Sequence, residues 1–109
     1  MKVTNISEGK GFFHVLATSE GSQTAVMRLA PGKESSRHAN AHPHSDQVLF
    51  VFEGEVVGEI AGERHALRRG DSVIVPAGTL HRFFNEGETE AITFNVYAPP
   101  AYGKGGQGR

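Results

Sequence analysis

The apolar positions of this chain come in short runs closed by Gly, Pro, Asn, Asp or Ser, with little of the Ala-Leu-Lys-Glu sequence that builds helices. A first run, Gly11 to Ala17, carries Phe12, Phe13, Val15 and Leu16 and ends in Thr18-Ser19-Glu20-Gly21-Ser22. In the next, Thr24 to Leu29, a period of two puts Ala25, Met27 and Leu29 on one face and Val26 and Arg28 on the other. Val48-Leu49-Phe50-Val51-Phe52 is apolar on both faces, so one face must fill an interior and the other be covered by another strand or subunit. Val56 to Ile60 and Arg64 to Leu67 flank a hairpin turn at Ala61-Gly62-Glu63. Ser72 to Val75 leads into a Pro76-Ala77-Gly78 corner that cannot continue a ladder, after which His81 to Phe84 and Ala91 to Tyr97 complete the set. Eight or so short strands at this spacing predict an all-β sandwich or closed barrel.

Composition agrees with that pattern and removes several kinds of chemistry. The 109 residues suffice for one domain, and fourteen glycines and five prolines fit many turns. There is no cysteine, hence no disulfide, no zinc-thiolate site and no cysteine nucleophile. The opening Met1-Lys-Val-Thr-Asn-Ile-Ser-Glu8 has no apolar h-region, and no apolar run approaches the roughly 18 residues a membrane span requires, so a cytoplasmic protein without a membrane partner is expected. With a net charge of -1 and Arg68-Arg69 the one adjacent basic pair, no stripe exists for nucleic acid. The glycines of Gly103 to Arg109 follow no strand and open no helix, so they make no phosphate loop. Ser35-Ser36 has no nucleophile elbow around it.

The remaining candidate chemistry is histidine. His38, His42 and His44 lie in the polar stretch from Lys33 to Asp46, and His81 stands just past the corner. His14 and His65 read as surface residues, Asp46 as a turn residue, and Asn85 as a side chain bonding its own turn.

The stretch Gly70-x5-Pro76-x-Gly78-x2-His81-x3-Asn85 resembles the second cupin motif at each defining position, and Gly54, separated from Gly70 by fifteen residues, resembles the glycine that closes the first. The resemblance implies a double-stranded β-helix, the cupin jelly-roll barrel. Its expected organisation is an N-terminal strand segment over 1–23, a barrel over 24–97 and a flexible Pro/Gly-rich tail over 98–109. It also implies a metal held by a His-x-His pair, a Glu and the second motif's His. The Glu position falls on Gln47, so the anionic ligand becomes a neutral amide, and two registers compete for the pair: His42 with His44, or Asn40 with His42. Residues 40, 42 and 44 would share a face on a strand, which favours the first. The expected ligand set is therefore His42, His44, Gln47 and His81, suited to divalent Fe, Mn, Ni, Cu or Zn.

Aromatic and sulfur side chains near such a centre would line its mouth, and Met27, Phe50, Phe83, Phe94 and Tyr97 are the candidates. The function so implied is a metal-dependent single-barrel protein acting on a small molecule by dioxygenase-like or other oxygen-dependent chemistry. The alternatives are a cupin isomerase or decarboxylase, or a non-catalytic binding or sensing barrel whose metal site has degenerated. A strand apolar on both faces adds the expectation of a homodimer.

Overall fold

The computed structural model describes residues 2–36 and 41–103. Eight strands form: β1 (Phe13–Thr18), β2 (Gln23–Leu29), β3 (Asp46–Glu53), β4 (Glu55–Ile60), β5 (Glu63–Arg68), β6 (Ser72–Val75), β7 (His81–Phe84) and β8 (Ala91–Ala98). A short 3-10 turn, Ile6–Glu8, precedes them, closed by a capping box between Asn5 and Glu8. The strands pair antiparallel in a five-stranded sheet of order β1-β2-β8-β3-β6 and a three-stranded sheet of order β5-β4-β7, the two-sheet jelly roll that was expected. Leu29, Leu49, Val51, Val56, Phe83 and Ala91 fill the space between the sheets.

Two glycines set the geometry near that core. Gly54 turns β3 into β4 at φ 75, and a Cβ there would lie 2.7 Å from the Glu90 carbonyl, so only glycine fits. Gly58 pairs with Phe83 across β4 and β7, and a Cβ on it would stand 2.9 Å from the Phe83 ring. The bare backbone lets that ring lie flat on β4 and face the interior. The hairpin turn of β4 and β5 has Ala61 at φ 52 and Gly62 at φ 82, as a two-residue type I′ connection demands.

Register stacks the inward residues of the large sheet in rows across β2, β8 and β3: Gln23, Tyr97 and Gln47; then Ala25, Asn95 and Leu49; then Met27, Thr93 and Val51. The opposite parity on the same strands points outward, so Phe50 and Phe94 pair with each other on the outer face. Their expected place in the pocket is thereby corrected: Phe94 and Tyr97 differ by an odd number of residues and cannot share a face.

Residues 98–102 depart from the expected flexible tail, for Ala101 is buried against Ala25 and Tyr97 and Tyr102 packs inward beside them. Residues 104–109 of that tail lie outside the described residues, as do His38 and Asn40. Among the described residues no helix is long and apolar enough to cross a membrane.

Candidate functional site

One end of the barrel is open to a cavity of about 260 Å³, lined by Met27, His42, Gln47, His81, Phe83 and Tyr97 together with Phe12, Phe13, Ser35 and Tyr102. The Pro76-Ala-Gly78 corner positions both histidines. Thr79 N–H closes the turn on the Pro76 carbonyl at 3.1 Å, and Gly78, at φ 79, directs its N–H to the His42 carbonyl at 2.9 Å. Ala77 N–H donates to Asp46 Oδ1 at 2.9 Å, which makes Asp46 the clasp between the two histidine-bearing segments.

His81 opens β7, is buried, and has Nδ1 2.9 Å from the Thr79 carbonyl. Since a carbonyl only accepts, Nδ1 carries the proton and Nε2 keeps its lone pair. Burial holds the His81 pKa below its usual range, partly offset by that carbonyl bond. The His42 ring lies 5.3 Å from the His81 ring, and burial followed by the His81 charge lowers its pKa to about 4. Near neutral pH both rings are uncharged nitrogen donors.

Gln47 contributes through a buried polar chain. Thr93 Oγ1 donates to the Met27 carbonyl at 3.4 Å, Asn95 Nδ2 donates to Thr93 Oγ1 at 3.0 Å, and Gln47 Nε2 donates to Asn95 Oδ1 at 3.0 Å. Asn95 Nδ2 also reaches the Thr93 carbonyl at 3.4 Å. Reversing the chain would forfeit the bonds to both backbone carbonyls, which cannot donate, so the direction is fixed. Gln47 Oε1 is thereby left buried on the cavity wall with no partner. A stranded carbonyl oxygen in such a place costs about 1–3 kcal/mol unless a donor or a cation meets it.

Tyr97 on the buried wall and Tyr102 at the rim have their rings 5.0 Å apart, and these lie 5.1 Å and 5.5 Å from His42. Burial raises both phenol pKa values; the Tyr102 charge and their mutual hydrogen bond raise Tyr97 further, while that bond lowers Tyr102. With neutral imidazoles, an amide and neutral phenols, the described lining carries no formal charge.

Of the expected site residues, the cavity gathers Met27, His42, Gln47, His81, Phe83 and Tyr97. His44 is exposed in a turn and is not part of the lining. The face-sharing expected of residues 40, 42 and 44 required a strand, and β3 begins only at Asp46. Among the described residues no group of three or more His, Cys, Asp or Glu is placed to hold a metal. The lining carries two imidazoles and the unpartnered Gln47 Oε1, donor types that fit a divalent transition ion in kind. Phe12, Phe13, Ser35 and Tyr102 were missed, as were the supporting Thr93 and Asn95. A signal existed only for the last two, polar residues at alternate positions of an otherwise apolar strand.

A family model described as a cupin domain matches residues 25–97. A polyketide synthase protein of Streptomyces cyaneus, CurC, is 37% identical over 75 residues, which is 69% of this chain and 46% of the relative. An auxin-binding protein of Prunus persica, ABP19b, is 33% identical over 76% of this chain and 41% of its own length. The chain thus spans about half the length of the curated relatives it matches. The solved structure of TT1209 from Thermus thermophilus superposes with a TM-score of 0.80 at 27% identity, covering 91% of this chain and 98% of that one.

Proposed function

The chain belongs to the cupin family, and from that premise we propose that its cavity binds a small organic molecule beside a divalent transition metal held by His42, His81 and Gln47. The observation that carries this reading is the Gln47 amide. Two buried polar residues, Asn95 and Thr93, fix its orientation so that Oε1, and not Nε2, is left for a cation or donor. An arrangement that costs stability in the empty protein is what a preorganised site requires.

A metal bound by neutral donors would keep its full charge and act as a Lewis acid on a carbonyl or enol oxygen. This favours isomerase- or decarboxylase-type chemistry over the oxygen-dependent chemistry of the first expectation, because among the described residues no carboxylate lines the cavity to support a higher oxidation state. The polyketide synthase protein among the relatives makes a carbonyl-rich compound the first substrate class to test. The chain's own residues have defined parts in either case. His81 presents Nε2, Tyr97 and Tyr102 hold neutral hydroxyls on the lining, and Met27, Phe13 and Phe83 keep water from the bound molecule.

The test is metal analysis of untagged protein, stripped with chelator and then dialysed against Mn, Fe(II), Co, Ni, Cu or Zn. About one ion per chain for at least one metal is expected, and stoichiometry near zero for all six would overturn the reading. A second reading, a metal-free binding barrel, is favoured by the lack of a lining carboxylate among the described residues. It prevails if a ligand binds equally well before and after chelation.

A further inference from the structure

We propose that residues 98–102 form a fixed strap across the mouth of the cavity, and that Tyr102, held there by Gln23, is a specificity-determining residue that admits small, flat, uncharged ring compounds and excludes bulkier ones. This rests on the reading that the cavity is a ligand site.

The clamp comes first. Gln23 is buried at the start of β2, and its amide is fully used: Nε2 donates to Thr18 Oγ1 at 2.9 Å and to the Tyr102 carbonyl at 2.9 Å, while Oε1 accepts from Ala101 N–H at 3.2 Å and Tyr102 N–H at 3.0 Å. Three of those four bonds go to the strap. The backbone of Tyr102 is thus bonded on both its N–H and its carbonyl by one buried side chain, a stronger hold than a frayed terminus receives.

The side chain is fixed as firmly. The Tyr102 ring packs 4.7 Å from Phe13 and 5.0 Å from Tyr97. It stands 5.5 Å from His42, so it forms part of the wall that a ligand beside the histidines would touch. Tyr102 lies outside the residues that match the family model, 25–97. Its placement is therefore a feature of this chain's flanks.

The shape of the ligand follows from the lining. The cavity, about 260 Å³, is below the ~300–1,000 Å³ of sites that take drug-sized molecules. Four aromatic rings, Phe13, Phe83, Tyr97 and Tyr102, are part of its lining, and aromatic rings pair well with another ring, stacked with an offset or edge to face. No charged side chain among the described residues would neutralise an ion there, so an uncharged compound is preferred.

The test uses calorimetric titration of the full chain with phenol, 1-naphthol and 9-phenanthrol, uncharged hydroxyl compounds of increasing size. Wild type should bind 1-naphthol at least about tenfold more tightly than 9-phenanthrol, Tyr102→Phe should keep that order, and Tyr102→Ala should lose it, since stacked aromatic contacts carry up to about tenfold in affinity each. If Tyr102→Ala binds the probes in the wild-type order, the strap merely closes the barrel and the proposal is overturned while the ligand site stands. If neither protein binds any probe, the ligand class fails here, and metal stoichiometry then decides separately whether the proposed function survives. The clamp has its own readout. The protein has two tyrosines and no tryptophan, so in Tyr97→Phe the tyrosine emission comes from Tyr102 alone. Adding Gln23→Leu should raise acrylamide quenching of that emission severalfold at unchanged far-ultraviolet dichroism. Unchanged quenching would refute the clamp. Should the Gln23 variant not fold, Tyr102→Ala against Tyr102→Phe still decides the matter.

Discussion

The cavity has a wall and a mouth, and they are held in different ways. The wall residues Met27, Gln47, His81, Phe83 and Tyr97 sit on β2, β3, β7 and β8, where register and the rows across the large sheet fix each side chain. At the mouth, His42 and Tyr102 lie outside regular strands and are tied by a few bonds, His42 through its carbonyl to Gly78 and Tyr102 through Gln23. A strand-borne side chain can move only if a ladder slips, whereas a tied loop moves when one or two bonds break. The wall therefore suits groups whose geometry the chemistry needs. The mouth suits groups that choose what enters.

If that division is right, removing a wall donor has the largest effect. His81→Ala should lower metal affinity by more than about 100-fold, beyond the ~10–100-fold typical of losing a supporting group. His44→Ala, which alters an exposed turn residue, should leave metal binding unchanged. Both are read from metal bound after dialysis, and equal retention in the two variants would abolish the assignment. Next comes the buried chain behind Gln47. Asn95→Ala strips partners from Gln47 Nε2 and Thr93 Oγ1 in a fully buried place and should cost about 2–5 kcal/mol in chemical denaturation. Tyr102→Ala, at the half-exposed mouth, should cost about 1–2 kcal/mol. Equal losses would mean that wall and mouth are one structural unit.

Gln47→Glu separates the role of the amide from that of its position. A carboxylate cannot donate to Asn95 Oδ1, so Asn95 must turn over and give up its bonds to Thr93. The metal-free protein should lose about 1–3 kcal/mol. In return the new charge should tighten metal binding by about tenfold or more, because an anionic oxygen is the better ligand for a divalent ion. Competition with a chromophoric chelator measures this, and weaker binding in the Glu variant would show that the neutral oxygen serves a hydrogen-bond donor and not a cation.

The same division explains what could be read from residues alone. His81 was legible because it stands in a stretch that resembles the second cupin motif, and Met27 because it shares a strand face with Ala25 and Leu29. β8 misled for a physical reason: its apolar residues Ile92, Phe94 and Val96 face outward, while Thr93, Asn95 and Tyr97 point in. Alternation identifies two faces but does not say which is buried when the interior holds a polar chain. His44 was misplaced because the shared face of residues 40, 42 and 44 presumed a strand there, and β3 begins only at Asp46, with its even-numbered positions facing outward. Tyr102 was illegible because the Pro and Gly around it signal a loose tail, and its anchor, Gln23, is far away in sequence.

The smallest effect on the site should come from the outer side of the wall strands. Phe50, Phe52 and Ile74 are exposed there at 37%, 47% and 64%, beside the partly buried Val48, Phe94 and Val96. Contiguous apolar surface on a sheet face marks a contact more often than a free surface, and we propose a second copy of this chain as its partner. Light scattering at micromolar concentration should give a dimer for wild type and a monomer for Phe50→Glu, with metal stoichiometry the same in both. The inward rows are fixed by pairing within one chain, so separating the copies removes nothing that holds Gln47 or His81. A monomeric wild type would remove the partner, and loss of metal on dissociation would show that the wall depends on its outer face after all.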